Sequence, residues 1–493
     1  MTSQKSYLFK GAVELVLNSA QKYHDRPAIE LHNRSFSYKE LIETAGGIAN
    51  YVSSLNDLCP FIGVLADKSF NCYASVLGIL MAGKAYMPLN PRFPEARNRY
   101  MIEKARVNTI LSDSKIEQLN IRSHTNFNFQ FSNFNSPAYL LFTSGTTGTP
   151  KGVPVSHENL AAYLLFMLDA FDFNQEDRFT QIFDLTFDLS VHDIFLAWSS
   201  GACLCVPSDN SSFSMSKFIK DKKPTVWFSV PSVINLMDRM RLLKPDVFPS
   251  IRLSFFCGEA LRIQTALAWR KAASQSRLIN LYGPTEATIA ISKYEFSLEP
   301  SLWKSELGIA SIGRIFPGNS FRIDFQTKEN EQGELCLTGK QLVDGYFENE
   351  PADESAFFLD PVTDRKYYRT GDMVRLDKDE DLFYFGRKDS EVKISGYRVN
   401  LKEIENLLET HEMVNQSVVV FEQEEEGAGI PVAYILPASS DRQADFTSML
   451  KLCQEYLPWY MVPGKFIFVD DIPLNLNGKV DKTALVKKYH EGK

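Results

Sequence analysis

The sequence predicts an α/β protein: a large N-terminal domain of α/β subdomains, a β-rich subdomain, and a small α+β C-terminal domain. Three observations predict it. Short apolar runs alternate with helix-like runs as far as Leu281, and from about Gly308 the texture turns to short alternating strands. Hydrophobic residues make up 44% and charged residues 23%, which suits a chain that buries a substantial core. With 493 residues there is room for two large domains or about three of ordinary size.

The elements follow in order. The opening stretch, MTSQKSYLFKGAVELVLNSAQKYHD, lacks a signal-peptide core and reads as an amphipathic helix. Phe61–Ala66 is a short apolar run, read as a buried strand, Tyr73–Ala82 carries a helical apolar pattern, and Ala85–Leu89 restarts a strand. Strand, helix, strand in that order implies parallel α/β units. Residues 114–136 are polar and rich in Asn and Phe, and read as a surface connection. Tyr139–Phe142, Thr225–Val230, Ile251–Cys257 and Leu278–Leu281 continue the strand series. Glu334–Thr338 and Phe383–Phe385 are the short strands of the β-rich part, and Glu422–Gly429 reads as a hairpin tip.

Composition excludes several functions. No run of about 18 apolar residues occurs, so membrane insertion is not expected. The net charge of −8 makes nucleic acid a poor partner. The seven cysteines are scattered without a CxxC pair, which argues for reduced thiols in a cytoplasmic protein and against a zinc site or disulfide scaffold. Thirty-six phenylalanines suit wide apolar layers and pockets.

Four motifs carry chemistry. Leu141–Val153, LFTSGTTGTPKGV, follows a strand and combines hydroxyls, glycines and Lys151. Glycines let backbone N–H groups approach a phosphate, and the hydroxyls and lysine add donors and charge. The spacing is not that of a Walker A loop, which excludes a P-loop ATPase. Leu281–Thr288, LYGPTEAT, places an aromatic ring at a strand end, able to stack on a base, and Glu286 four residues later, able to hold a divalent ion near phosphates. YRTGDMV and FYFGRKDSEVKISGY set Asp372 and Arg387 beside β-type runs, and an acid is the usual partner of ribose hydroxyls. DIPLNLNGKVDK sets Lys479 after an Asn-Gly turn. Taken singly, they read as ordinary structure: surface turns, ion pairs and a solvated lysine.

Taken in order they carry more. With FSYKEL (Phe36–Leu41), GKAYMPLNPRFPEAR (Gly83–Arg97), FDLSVHDIF (Phe187–Phe195), SIGRIFPG (Ser311–Gly318) and GELCLTG (Gly333–Gly339), the chain resembles the adenylate-forming superfamily over nearly its whole length. That superfamily holds acyl- and aryl-CoA synthetases, luciferases and nonribosomal peptide adenylation domains. Phe142 departs from it, standing where many relatives carry tyrosine.

The resemblance implies ATP and Mg2+ as cofactors and attack of a carboxylate on the α-phosphate. Pyrophosphate leaves, an acyl-adenylate forms, and a thiol then takes the acyl group. It implies that Thr143, Ser144, Gly145, Thr146, Thr147, Gly148 and Lys151 loop over the outer phosphates, and that Tyr282 and Gly283 flank the adenine. Thr285 would touch the α-phosphate and Glu286 would hold magnesium. Asp372 would bind the ribose, with Tyr384 and Arg387 close by, and Lys479 would bridge carboxylate and α-phosphate. It implies domains of residues 1–388 and 389–493, a hinge near Asp389, and a mobile C-terminal lid. In its second orientation the lid would turn Lys393–Gly396 toward the site for thioester formation.

Asp188 matches the position where amino-acid-activating members keep an aspartate for the substrate's α-ammonium. A buried carboxylate needs a charged partner, and an amino acid brings one; the alternative reading of Asp188 is a helix N-cap. Leu189, His192, Ser229, Phe255, Cys257, Leu281, Ile289 and Ala290 complete the implied pocket. It holds no second acid and no Lys or Arg, and three bulky side chains shrink it. A small neutral amino acid fits: proline first, then alanine or D-alanine, then cysteine or serine. The chain ends at residue 493, shortly after Lys479. The expectation is a stand-alone ligase loading the phosphopantetheine thiol of a separate carrier protein. A basic patch for that acidic partner is expected among Lys388, Lys393, Lys402, Lys465, Lys482, Lys487 and Lys488. Competing readings are an acyl- or aryl-CoA synthetase and a non-catalytic nucleotide sensor.

Overall fold

The computed structural model describes residues 11–31, 34–119, 133–144, 149–208, 212–325, 331–348, 356–389, 391–422, 429–438, 446–474 and 480–490. The chain divides into two compact units. The first comprises Met1–Pro91, Ile102–Phe142 and Gly152–Lys388; the second comprises Arg92–Met101, Thr143–Lys151 and Asp389–Lys493.

The first unit is built on two largely parallel sheets. Five strands run in the order Ile110–Leu111, Phe61–Leu65, Ala85–Leu89, Pro137–Thr143, Lys151–Ser156. The connection from Phe61–Leu65 to Ala85–Leu89 is the helix Phe70–Met81, with ten consecutive residues buried. A helix apolar all round belongs inside a core. The second sheet has nine strands, with Arg178–Thr180, Val226–Ser229, Leu253–Phe256 and Arg277–Tyr282 side by side and parallel. Their carboxyl ends therefore lie along one edge, where ligands bind in open α/β sheets.

The β-rich part is an antiparallel sheet centred on Arg365–Leu376, which pairs with Gly333–Gly339, Phe357–Asp360 and Leu382–Arg387. Its small core of Ala287, Ile291, Ile312, Leu335, Leu337, Val374 and Leu382 also receives Tyr282 and Tyr384. The stretch read as a bare surface connection contains a short helix, Asp113–Gln118. The Ser112 side chain caps it by accepting from the Lys115 N–H, a local signal outweighed by the polar composition around it. Residues 120–132 lie outside the described residues.

The second unit carries the strands Val414–Glu422, Ile430–Pro437 and Lys465–Phe468, with helices Leu401–Glu409, Phe446–Tyr456 and Lys482–His490. Glu422 and Ile430 pair at the end of the expected hairpin, whose tip lies outside the described residues. Two segments read from sequence as part of an unbroken large domain, Arg92–Met101 and Thr143–Lys151, group with this unit instead. The cause is side-chain chemistry that links distant stretches of chain. Arg97 and Glu403 form a buried ion pair at 2.7 Å, and the Ser144 hydroxyl donates to the Arg398 carbonyl and accepts from the Asn400 N–H.

Four lysines of the expected basic patch are ion-paired within the fold. Lys402 and Lys482 both pair with Glu405, Lys488 with Asp471, and Lys388 with Glu334. Among the described residues no helix is long and apolar enough to cross a membrane.

Candidate functional site

Tyr282 ends the strand Arg277–Tyr282, where the chain leaves the sheet through Gly283 and Pro284 into the 3-10 turn Thr285–Ala287. A side chain at Gly283 would meet the Ala290 Cα at 2.6 Å, so only glycine admits the returning chain. The Tyr282 hydroxyl donates to Asp372 Oδ2 at 2.5 Å, and Arg387 donates to Asp372 Oδ1 at 2.8 Å. Asp372 and Arg387 face one another across their paired strands, and both side chains are only 9% exposed. This carboxylate therefore fixes both the plane of an aromatic ring and the position of a guanidinium. Burial, then the Asp372 charge, holds the Tyr282 phenol well above its ordinary range, so it stays a donor. Tyr384 lies on the same pair of strands.

Glu286 is fully buried, and its Oε1 accepts from the Tyr346 hydroxyl at 2.7 Å. Among the described residues no group of three or more His, Cys, Asp and Glu side chains could hold a metal ion. A single carboxylate suits an ion that arrives with its phosphates, as Mg2+ does, better than an all-protein metal cage. When bound, such an ion neutralises phosphate charge.

Beyond Glu286 the backbone is strained. Thr288 and Ile289, both β-branched, have φ of 56° and 69°. Such outliers persist only where the surroundings enforce them. Here the Gln341 amide donates to the Ala290 carbonyl at 2.7 Å, and the Thr288 hydroxyl donates to the Gln341 carbonyl at 2.6 Å. Gln341 is itself held by Asn319. This clamp sets where Ile289 and Ala290 lie.

The implied amino-acid residues come from neighbouring elements of the first unit. Asp188 stands at the N-cap position of helix Leu189–Ser200 and is 4% exposed, but its side chain makes no capping bond. The N-cap alternative thus holds for position and not for chemistry. The Asp188 charge acts, after burial, to raise the phenols of Tyr86 and Tyr139. Ser229 ends its strand and accepts from the Trp227 indole at 2.9 Å. Cys257 follows the strand Leu253–Phe256. A Cβ at Gly258 would lie 3.5 Å from Leu189, which brings these two elements together. Leu189, Phe255, Leu281, Ile289 and Ala290 are all buried. His192 is fully buried, with Nδ1 hydrogen-bonded to the Tyr163 hydroxyl at 2.5 Å.

On the same helix Asp193 is fully buried, and neither carboxylate oxygen has a partner among the described residues. Burial holds its carboxyl well above the ordinary range, which favours the protonated form in the folded protein. The unfolded chain releases that proton above about pH 4. Asp193 therefore costs stability increasingly as pH rises above that point. Asp193→Asn is expected to raise the Tm at pH 7, by an increment that shrinks toward pH 4. An increment constant with pH would contradict this.

The other implied residues divide as follows. Thr143, Ser144 and Lys151 belong to the second unit, with Ser144 and Lys151 buried. The Ser144 hydroxyl, expected on phosphate, is engaged by the Arg398 and Asn400 backbone. Gly145, Thr146, Thr147, Gly148 and Lys479 lie outside the described residues. Asp389 accepts from the Glu391 N–H. Ser395 and Gly396, at φ 50° and 84°, make the tight turn after Lys393, two left-handed residues as in a primed hairpin. The motifs gave no sign of Tyr163, Tyr346 or Gln341, which hold His192, Glu286 and the strained loop.

The AMP-binding enzyme family profile matches residues 16–347, and that of the AMP-binding enzyme C-terminal domain matches residues 403–479. Bacitracin synthase 1 of Bacillus licheniformis is 30% identical over 98% of this chain, and tyrocidine synthase 3 of Brevibacillus parabrevis is 32% identical over 96%. The chain spans 9% and 8% of their lengths. The Vibrio cholerae adenylation domain AlmE, solved with glycyl-adenosine-5'-phosphate, is 29% identical over 99% of each chain, with a TM-score of 0.86.

Proposed function

Because the chain belongs to the AMP-binding enzyme family, we propose that it is an adenylation domain of the nonribosomal peptide type and activates a small neutral amino acid as its adenylate. It then passes the aminoacyl group to the phosphopantetheine thiol of a carrier protein on a separate chain. The observation that carries this reading is Asp188: a buried carboxylate at the start of a helix whose side chain makes no capping bond. AlmE was solved with a glycyl adenylate, which supports a small substrate.

In this reading Asp188 binds the α-ammonium, and Leu189, His192, Ser229, Phe255, Cys257, Leu281, Ile289 and Ala290 bound the side chain. Tyr282 stacks on adenine in the plane that Asp372 sets, and Asp372 uses its remaining lone pairs on the ribose. Thr285 donates to the α-phosphate, and Glu286 is the carboxylate for magnesium. The Thr143–Lys151 loop covers the outer phosphates, and Lys479 draws the two anionic reactants together. Lys393–Gly396 serves the thioester step after a turn about Asp389.

Two assays test this reading. Incubation with ATP, the amino acid and a holo carrier protein should give a carrier-bound thioester. Transfer to free coenzyme A alone would favour a CoA synthetase. Lys479→Ala is expected to cut adenylation by about a hundredfold or more while sparing transfer from supplied adenylate. Equal loss in both steps would contradict the role given to Lys479.

A further inference from the structure

We propose that His192 recognises a hydroxyl or thiol on the β-carbon of the substrate amino acid, with Tyr163 as the residue that aims its ring. The proposal rests on the reading above that His192 lines the amino-acid pocket.

His192 lies four residues after Asp188, and residues at that spacing share a helix face. Its Nδ1 is taken by the Tyr163 hydroxyl at 2.5 Å. Its Nε2 is buried and has no hydrogen-bond partner among the described residues. The rings of Phe228 and Phe255 stand 4.3 Å and 5.3 Å from the imidazole, so two apolar rings pack beside it. Burial lowers the imidazole pKa to about 3, so the ring is neutral at working pH.

Either tautomer of a neutral ring leaves one unmet bond at Nε2. If Nδ1 carries the proton it donates to Tyr163, and Nε2 accepts from the ligand. If Nε2 carries the proton, Tyr163 donates to Nδ1, and Nε2 donates to the ligand. A hydroxyl answers both cases, and a thiol answers the first. An unmet buried polar atom is costly, so a ligand that supplies its partner is favoured over an apolar isostere. Proline and alanine bring nothing to Nε2. Serine, threonine and cysteine move ahead of them.

The test is ATP–pyrophosphate exchange by the whole chain with serine, threonine, cysteine, 2-aminobutyrate, alanine and proline. The best hydroxyl or thiol substrate should exceed 2-aminobutyrate in kcat/KM by about a hundredfold, within the range a hydrogen-bonding site can reach. His192→Leu should collapse that ratio toward one, and His192→Gln should restore part of it. Tyr163→Phe should raise KM for the hydroxyl substrate and not for 2-aminobutyrate. A wild-type enzyme that uses 2-aminobutyrate, alanine or proline equally well overturns the proposal and leaves amino-acid activation standing. Exchange with none of these acids, by protein whose melting shows it folded, overturns the proposal, and exchange with no amino acid at all overturns both.

Discussion

Asp188→Ala is expected to reduce amino-acid-dependent ATP–pyrophosphate exchange by at least a hundredfold, almost wholly through KM for the amino acid. The argument is electrostatic. An α-ammonium entering a buried pocket gives up its water and is compensated by one carboxylate. Removing one partner of a buried charge pair costs about 3–5 kcal/mol, and each 1.4 kcal/mol is a factor of ten. Asp188→Asn keeps the shape and removes the charge, so it should behave nearly as badly. KM for ATP should hardly move in either variant. Steady-state exchange with the amino acid and ATP varied separately checks this. A rise in both KM values together would mean that the helix start at Asp188, and not its charge, had been disturbed.

Asp372→Ala is expected to cost as much, but on the nucleotide side. Its two oxygens hold Tyr282 and Arg387, so one substitution frees an aromatic ring and takes a carboxylate from a guanidinium that is 9% exposed. Losing one partner of such a pair again costs about 3–5 kcal/mol, shared between nucleotide binding and stability. Calorimetric titration with ATP should show binding weakened a hundredfold or more, and the Tm should fall. Tyr282→Phe separates the two contributions. It keeps the ring and the Asp372–Arg387 pair, so the Tm should change little while ATP binding weakens modestly. Unchanged ATP affinity in Asp372→Ala would remove Asp372 from the nucleotide site.

Much of this was legible in the sequence because the motif residues sit where strands end. Tyr282, Cys257 and Ser229 fall at the carboxyl ends of parallel strands, and apolar runs bounded by turn residues mark such ends directly. Asp372 and Arg387 were readable as partners of β-type runs, and register places them face to face. What stayed hidden depends on contacts between distant stretches. Tyr163 lies on the buried helical face with Leu160, Leu164 and Met167, so periodicity gives its burial. Its bond to His192 needs the packing of two helices. Gln341 looks like an ordinary turn residue, yet it clamps a loop 51 residues earlier in the chain. The Arg97–Glu403 pair, 306 positions apart, has no local signature at all, which is why the large domain looked unbroken in sequence.

The central claim is that this chain activates an amino acid and no other kind of carboxylic acid. The most direct test is ATP–pyrophosphate exchange with the wild-type chain across all common amino acids, D-alanine, benzoates and medium-chain fatty acids. Exchange is expected with one or a few small neutral amino acids and none with benzoates or fatty acids. Exchange confined to benzoates or fatty acids would contradict the role of Asp188 and make the protein an acyl- or aryl-CoA synthetase.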